Sequence, residues 1–282
     1  MLVGSRNSKN RERTSIGTYG VLVLMVLVSP AAILARDLDR SVYRLSPAID
    51  ASVTAAAGAA NFVPHALESK IIEPRCPCDP NEVNALDRHV IGNNNHFLDS
   101  VSNVSEGLAI AVPVLLDAID VGPSLVLVED MTVYFEAIAV SGALTTLAKF
   151  TVERPVPRVY AGQDEELARS PDGYRSFYSG HVSNSFAALT AASITYNLRH
   201  PSTIWPWVIT GVFGTSVAIE RVAAGRHFYT DVIAAALVGT GVGLLVPWLH
   251  RRNIDSNHKG AAERASLAPY QDGLRFAVSL GL

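Results

Sequence analysis

An all-α, membrane-embedded helical bundle with about six spanning helices is what this 282-residue sequence predicts. Two observations carry that expectation. Hydrophobic residues make up 49% of the chain and charged ones only 17%, a mixture between a soluble helical protein and a membrane protein. The apolar residues also fall in runs near 17–35, 106–121, 124–148, 182–198, 203–219 and 232–249, most of them close to the length that crosses a bilayer as helix. A soluble helical bundle is the competing architecture, because two of those runs hold carboxylates.

Residues 1–16 are polar and basic, with Arg6, Lys9, Arg11 and Arg13, and 17–35 is uninterruptedly apolar. Residues 1–35 therefore read as a basic N-terminus with a membrane anchor, or with a signal peptide cleaved after the small Ala35. Either way the next segment is directed out of the cytoplasm, so 36–105 is expected to be an extracytoplasmic insertion. Within it, the Ala-rich stretch 51–66 reads as helix, and 73–96, with its Pro, Asn and Asp, as loop. Cys76 and Cys78 flank a single proline. A disulfide across so short a gap is geometrically demanding, so they read as an incidental pair.

The helical core is expected over 106–250. Its first run is broken by Asp117 and Asp120, and its second carries Glu129, Asp130 and Glu136, costly in lipid unless they face the bundle. The last two runs are clean, and Gly239 and Gly243 form a Gly-x-x-x-Gly pair suited to close helix packing. Residues 251–282 form a C-terminal tail with no readable role. A net charge of −3, with no Lys/Arg stripe, argues against nucleic acid as a partner.

The chemistry lies in three ordered clusters: Lys149 to Arg158, Tyr178-Ser-Gly-His181, and Glu220-Arg221 to His227 and Asp231. Phosphoryl transfer spreads charge over three oxygens, so its catalyst needs fixed cations, which Lys149 and Arg221 can supply. Ser179-Gly180 before an apolar run suggests a helix N-terminus, whose free amides face an anion. His227 and Asp231 are four apart, on one face if helical. His181 could then protonate a leaving oxygen. The other histidines, His250 among them, read as surface or satisfied core residues, and no metal-ligating constellation stands out.

These clusters resemble the signature of the type 2 phosphatidic acid phosphatase superfamily, which also includes bacterial acid phosphatases and vanadium-dependent haloperoxidases. The resemblance covers roughly Lys149 to Trp248. It implies that His227 attacks phosphorus to give a phosphohistidine, that Asp231 orients it, and that His181 protonates the leaving group. Lys149, Arg221 and the backbone of Ser179 and Gly180 would hold the phosphate, with no cofactor. The implied activity is an integral-membrane hydrolase of a lipid or isoprenoid phosphate monoester or diphosphate. A haloperoxidase holding vanadate in the same cradle, or a catalytically silent protein of the same fold, are the alternatives.

Three positions depart from the pattern. Val156 stands where the first-block arginine belongs, Tyr178 replaces a proline, and Glu220 replaces a serine. Pro155 and Pro157 favour an extended run in which 154, 156 and 158 project to one side, so Arg154 or Arg158 is expected to supply the missing phosphate contact. Counting 17–35 as the first of six spans puts all three clusters on one side and the basic segments 1–16, 199–200 and 251–252 on the other. By the positive-inside rule, the site then faces the extracytoplasmic side.

Overall fold

The computed structural model describes residues 40–162 and 164–252. The helices in chain order are α1 (Pro47–Ala66), α2 (Glu68–Ile71), α3 (Ala85–Arg88), α4 (His96–Val121), α5 (Leu125–Val152), α6 (Pro157–Tyr160), α7 (Glu165–Ala168), α8 (Gly180–Arg199), α9 (Trp205–Ala223) and α10 (Tyr229–His250). Two 3-10 turns and an isolated bridge, Tyr43 to Arg251, are the remaining features. The fold is all-α. Among the described residues the six long helices are α1, α4, α5, α8, α9 and α10.

The centre of the bundle is α8, which packs on α4, α5, α9 and α10. Its buried positions are mostly small: Ser183, Ser185, Ala187, Ala188, Ala191 and Ser193. Small side chains let four neighbours approach one axis, the packing device of helices in lipid. The Gly239/Gly243 pair of α10 meets this surface. A Cβ at Gly239 would lie 2.2 Å from the Ser183 carbonyl oxygen, and one at Gly243 2.7 Å from that of Ala187.

The carboxylates inside the apolar runs face the bundle and are partnered. Asp117 and Asp130 both pair with Arg199, at 3.2 and 2.5 Å. Asp120 meets His200 at 3.1 Å, Glu129 accepts from Ser41, and Glu136 faces His250. The outer surfaces of the long helices are apolar instead: Leu115, Leu116, Leu147, Val212 and Leu237 are all at least 57% exposed. So large an exposed apolar belt suits lipid better than water. Two segments, Leu125–Tyr160 and Tyr229–His250, are long and apolar enough to cross a membrane.

Two expectations change here. The apolar segment 17–35 lies outside the described residues, and among the described ones α1, read only as a helix of the insertion, is one of the six long helices. Nor does 36–105 stay on one side of the bundle. The Arg44 amide bonds the His250 carbonyl and the Arg252 amide bonds that of Val42, so residues 42–44 sit beside the start of the C-terminal tail. From there α1 runs along α5 to the opposite end, where Glu68 pairs with Arg175. Helix α4 is continuous across the 105/106 boundary. The hydropathy step there marks where the helix meets polar partners, not where an element begins. Cys76 and Cys78 are joined as a disulfide, which corrects their reading as an incidental pair.

Candidate active site

All three clusters meet at one end of the bundle. Lys149 occupies the last turn of α5, Ser179 and Gly180 open α8, Arg221 ends α9, and Asp231 lies in the first turn of α10. His227 sits in the short link between α9 and α10, which turns at Gly225 with φ +68°. Only glycine fits there, since a Cβ would stand 1.9 Å from the Asn93 carbonyl oxygen. The charges of Arg221, Lys149 and His181 act on His227, so the fold has drawn residues from α5, α8 and α9 toward one imidazole. Beneath them Tyr178, Val182, Val217, Phe228 and Val232 form an apolar floor. Tyr178, in the proline's place, is part of that core.

His227 is 3% exposed. Its Nδ1 lies 2.7 Å from the Ser176 carbonyl oxygen, an acceptor only, so Nδ1 carries the proton. The Nε2 lone pair is thereby left free. Asp231 does not make this contact: its carboxylate is 3.9 Å from Nδ1, beyond hydrogen-bond range. Instead Asp231 Oδ2 accepts from the Ser176 hydroxyl and, at 2.8 Å, from the Phe228 amide. It orients His227 through Ser176, a positioning role in place of the direct one that the resemblance implies.

Arg154 explains where Asp231 gets its charge partner. Its guanidinium donates to Asp231 Oδ1 at 2.6 Å and to Asp87 Oδ2 at 2.8 Å, and lies over the Phe228 ring at 4.0 Å. Asp87 also accepts from the Thr230 amide at 3.0 Å, fixing the start of α10. Arg154 is thus committed to two fully buried carboxylates, which corrects its expected role as a phosphate ligand. Arg158, 1% exposed, donates from Nε to the Ala224 carbonyl at 2.7 Å and pairs with Asp99 at 3.4 Å. It clamps the link that carries His227, and only its Nη2 makes no hydrogen bond. The extended run expected over 154–158 does not form, because α6 starts at Pro157 and sends the two arginines to different partners.

The remaining cations are cross-braced by acids. Asp99 accepts from Arg221 at 2.8 Å and Arg226 at 2.9 Å; Asp172 bridges Arg175 at 2.6 Å and Arg226 at 3.2 Å. Glu220 turns away from the cluster and accepts from Ser105 at 3.2 Å, so it does not oppose an anion near Arg221. His181 Nε2 lies 2.7 Å from Asn103 Oδ1 and 3.4 Å from Glu106. A Cβ at Gly180 would sit 3.7 Å from Lys149 Nζ, so the lysine faces the first turn of α8, whose amides have no intrahelical partner. The Ser179 amide is an exception, bonding the Asp231 carbonyl at 3.4 Å. What Ser179 offers is its buried hydroxyl, which, like Arg221 Nε, makes no hydrogen bond.

Sequence reasoning missed Asp87, Asp99, Glu106, Asp172, Arg175, Ser176 and Arg226. Arg226 lies inside the third cluster, and Arg175 and Ser176 lie within three residues of the second; that proximity is the one signal that could have found them. Asp87 lies in a stretch read as loop, among acids of equal appearance.

Burial, then the charges of Arg221 and Lys149, hold the His227 imidazole well below its ordinary range. The unfolded chain binds a proton at this residue below about pH 6.5 and the native state does not. The stability tied to neutral His227 is therefore complete above about 6.5 and is lost as pH falls toward the depressed native value. Thermal unfolding of wild type and His227→Gln between pH 7.5 and 5 checks this. Wild type should lose more stability on acidification than the variant; equal slopes contradict the assignment.

Residues 130–255 match the family described as the PAP2 superfamily. The chain carries a PAP2 superfamily domain. Every cluster residue from Lys149 to Asp231 lies inside the PAP2 domain, while the bracing acids Asp87, Asp99 and Glu106 lie before it. Lipid A 1-phosphatase of Porphyromonas gingivalis is 35% identical over 81 residues, 28% of this chain and 18% of that protein. Lipid phosphate phosphatase 1 of Arabidopsis thaliana is 30% identical over 128 residues, 37% of this chain and 39% of that protein. The chain thus spans well under half the length of these relatives. Among solved structures, that of Aquifex aeolicus LpxE matches with a TM-score of 0.41 and 23% identity, over 57% of this chain and 92% of that one.

Proposed function

We propose that this protein is an integral-membrane phosphatase that hydrolyses a phosphate monoester or diphosphate of a lipid or isoprenoid through a phosphohistidine at His227. One observation carries the reading. A buried imidazole, held at Nδ1 by the Ser176 carbonyl so that Nε2 is free, lies at the end of the bundle that also carries Lys149, Arg221 and His181, with buried donors on Ser179 and Arg221 that make no hydrogen bond. Unsatisfied buried donors around a nucleophile suit an anion. His227 Nε2 attacks phosphorus and the bond to the leaving oxygen breaks. His181, whose Nε2 lies 3.4 Å from Glu106, donates the proton that oxygen needs. Water then attacks phosphorus as His181 takes up its proton, and the bond to His227 breaks, returning free imidazole and inorganic phosphate. The names of the relatives and the exposed apolar belt support a lipid substrate, and no metal or cofactor enters this scheme.

Inorganic phosphate release by purified chain in mixed micelles tests the function, against phosphatidate, an isoprenyl diphosphate and a water-soluble phosphomonoester. The lipid substrates should be preferred and vanadate should inhibit. Peroxidase activity appearing with vanadate would select the rival chemistry. No release from any substrate would leave a silent fold.

The domain's orientation belongs to the same proposal. The end opposite the site carries Arg40, Arg44, Arg199, Arg251 and Arg252, the basic bias of a cytoplasmic face. A cysteine at the exposed position 169 should react with an impermeant maleimide added to intact cells, and a reporter fused after Arg252 should behave as cytoplasmic. Both on one side would contradict the arrangement.

A further inference from the structure

Far from the catalytic end, α1, α5 and α10 bring together Asp50, Glu136 and His250. One ligand atom from each lies within 4.8 Å of the others, although the residues are up to 200 positions apart. Asp50 and Glu136 are 4% and 6% exposed. His250 Nε2 is 3.3 Å from Asp50 Oδ1 and 3.7 Å from Glu136 Oε2.

The outer contacts of each group decide what the inner atoms can do. His250 Nδ1 donates to the Val246 carbonyl at 2.8 Å, so Nε2 is the ring atom turned toward two carboxylates, where either a proton or a metal ion can stand between them. Lone pairs facing one another repel unless something positive stands between them. Asp50 Oδ2 accepts from the Ser46 amide at 2.8 Å, which frees Oδ1 for the cluster. Glu136 Oε2 is buried, aimed at His250, and makes no hydrogen bond. Among the described residues no lysine or arginine pairs with Asp50 or Glu136. Two buried carboxylates and one imidazole are therefore short of positive charge.

We infer that Asp50, Glu136 and His250 form a binding site for a divalent transition-metal ion such as Zn²⁺, pinning α1 to α5 and α10. Imidazole nitrogen and carboxylate oxygen are the donor types such ions take, at about 2.0–2.2 Å. A backbone carbonyl on the second ring nitrogen is the usual support of a metal-binding histidine. The ion's two positive charges balance the two carboxylates with His250 neutral. The site is structural. At ~1.5 Å per residue, Glu136 lies ~20 Å along α5 from Lys149, and His250 ~28 Å along α10 from Asp231. It does not depend on the proposed phosphatase reaction.

Calorimetric titration of the full chain, purified in detergent and stripped with a chelator, tests this with Zn²⁺ itself. Wild type should bind one ion per chain and melt at higher temperature when loaded. Glu136→Gln and His250→Gln should each weaken binding by on the order of 100-fold or more and cancel the thermal shift. Absence of stoichiometric binding, or equal affinity in wild type and both variants, would overturn the site. Should the variants not fold, Co²⁺ titration of wild type decides. An intense visible d–d band supports nitrogen and oxygen ligation in low symmetry, and the spectrum of aqueous Co²⁺ overturns it.

Discussion

Replacing His227 with alanine is expected to lower lipid phosphate turnover by on the order of 10⁴-fold or more, as loss of a nucleophile does elsewhere. The side chain is buried, and its one hydrogen bond is to the Ser176 carbonyl, so its removal leaves no charge stranded and the fold should survive. His181→Ala should cost less, roughly 10²–10⁴-fold, the range of a general acid. Asp231 touches His227 only through Ser176. Ser176→Ala, which keeps the carbonyl that holds Nδ1, should therefore be milder than any change at His227. Phosphate release from one lipid substrate across the four proteins checks the order. Near-normal turnover by His227→Ala would remove the nucleophile from the scheme.

The second large effect is on folding. Arg154→Ala leaves Asp87 and Asp231, both 0% exposed, without their common cation. Breaking a buried pair by deleting one partner costs about 3–5 kcal/mol, a large share of a domain's stability. It also frees Thr230 and the start of α10 to shift, so turnover should fall together with stability. Arg154→Lys keeps a charge but not the planar fork that reaches both carboxylates, and should lie between. Unfolding in denaturant, followed by helical signal, measures it. A variant as stable as wild type with reduced substrate affinity would return Arg154 to the role of phosphate ligand.

Arg154 marks where sequence reading stops. The three clusters were legible because each is local. Lys149, Ser179-Gly180-His181, Arg221 and His227 sit at helix ends, and antiparallel helices bring alternate ends together. The Gly239/Gly243 spacing likewise marked the face that meets α8. The partners were not legible. Whether Arg154 faces a phosphate or Asp87 depends on a contact across 67 residues, and no periodicity records it. The same holds for Asp99, which reaches Arg221, Arg226 and Arg158 from another helix. Helix α1 was legible as helix, but its packing along α5 was not, because Ala-rich faces carry little directional pattern. Asp117, Asp120 and Asp130 weakened the case for spans only until Arg199 and His200 were in place beside them.

The central claim is that His227 carries the phosphoryl group. Rapid quenching of the purified protein during turnover of a radiolabelled lipid phosphate, with peptide mapping of the quenched chain, tests it directly. Label is expected on the peptide containing His227, stable to alkali and released by acid, and absent from His227→Ala. Steady phosphate release with no label on that peptide, or label elsewhere in the chain, would contradict it.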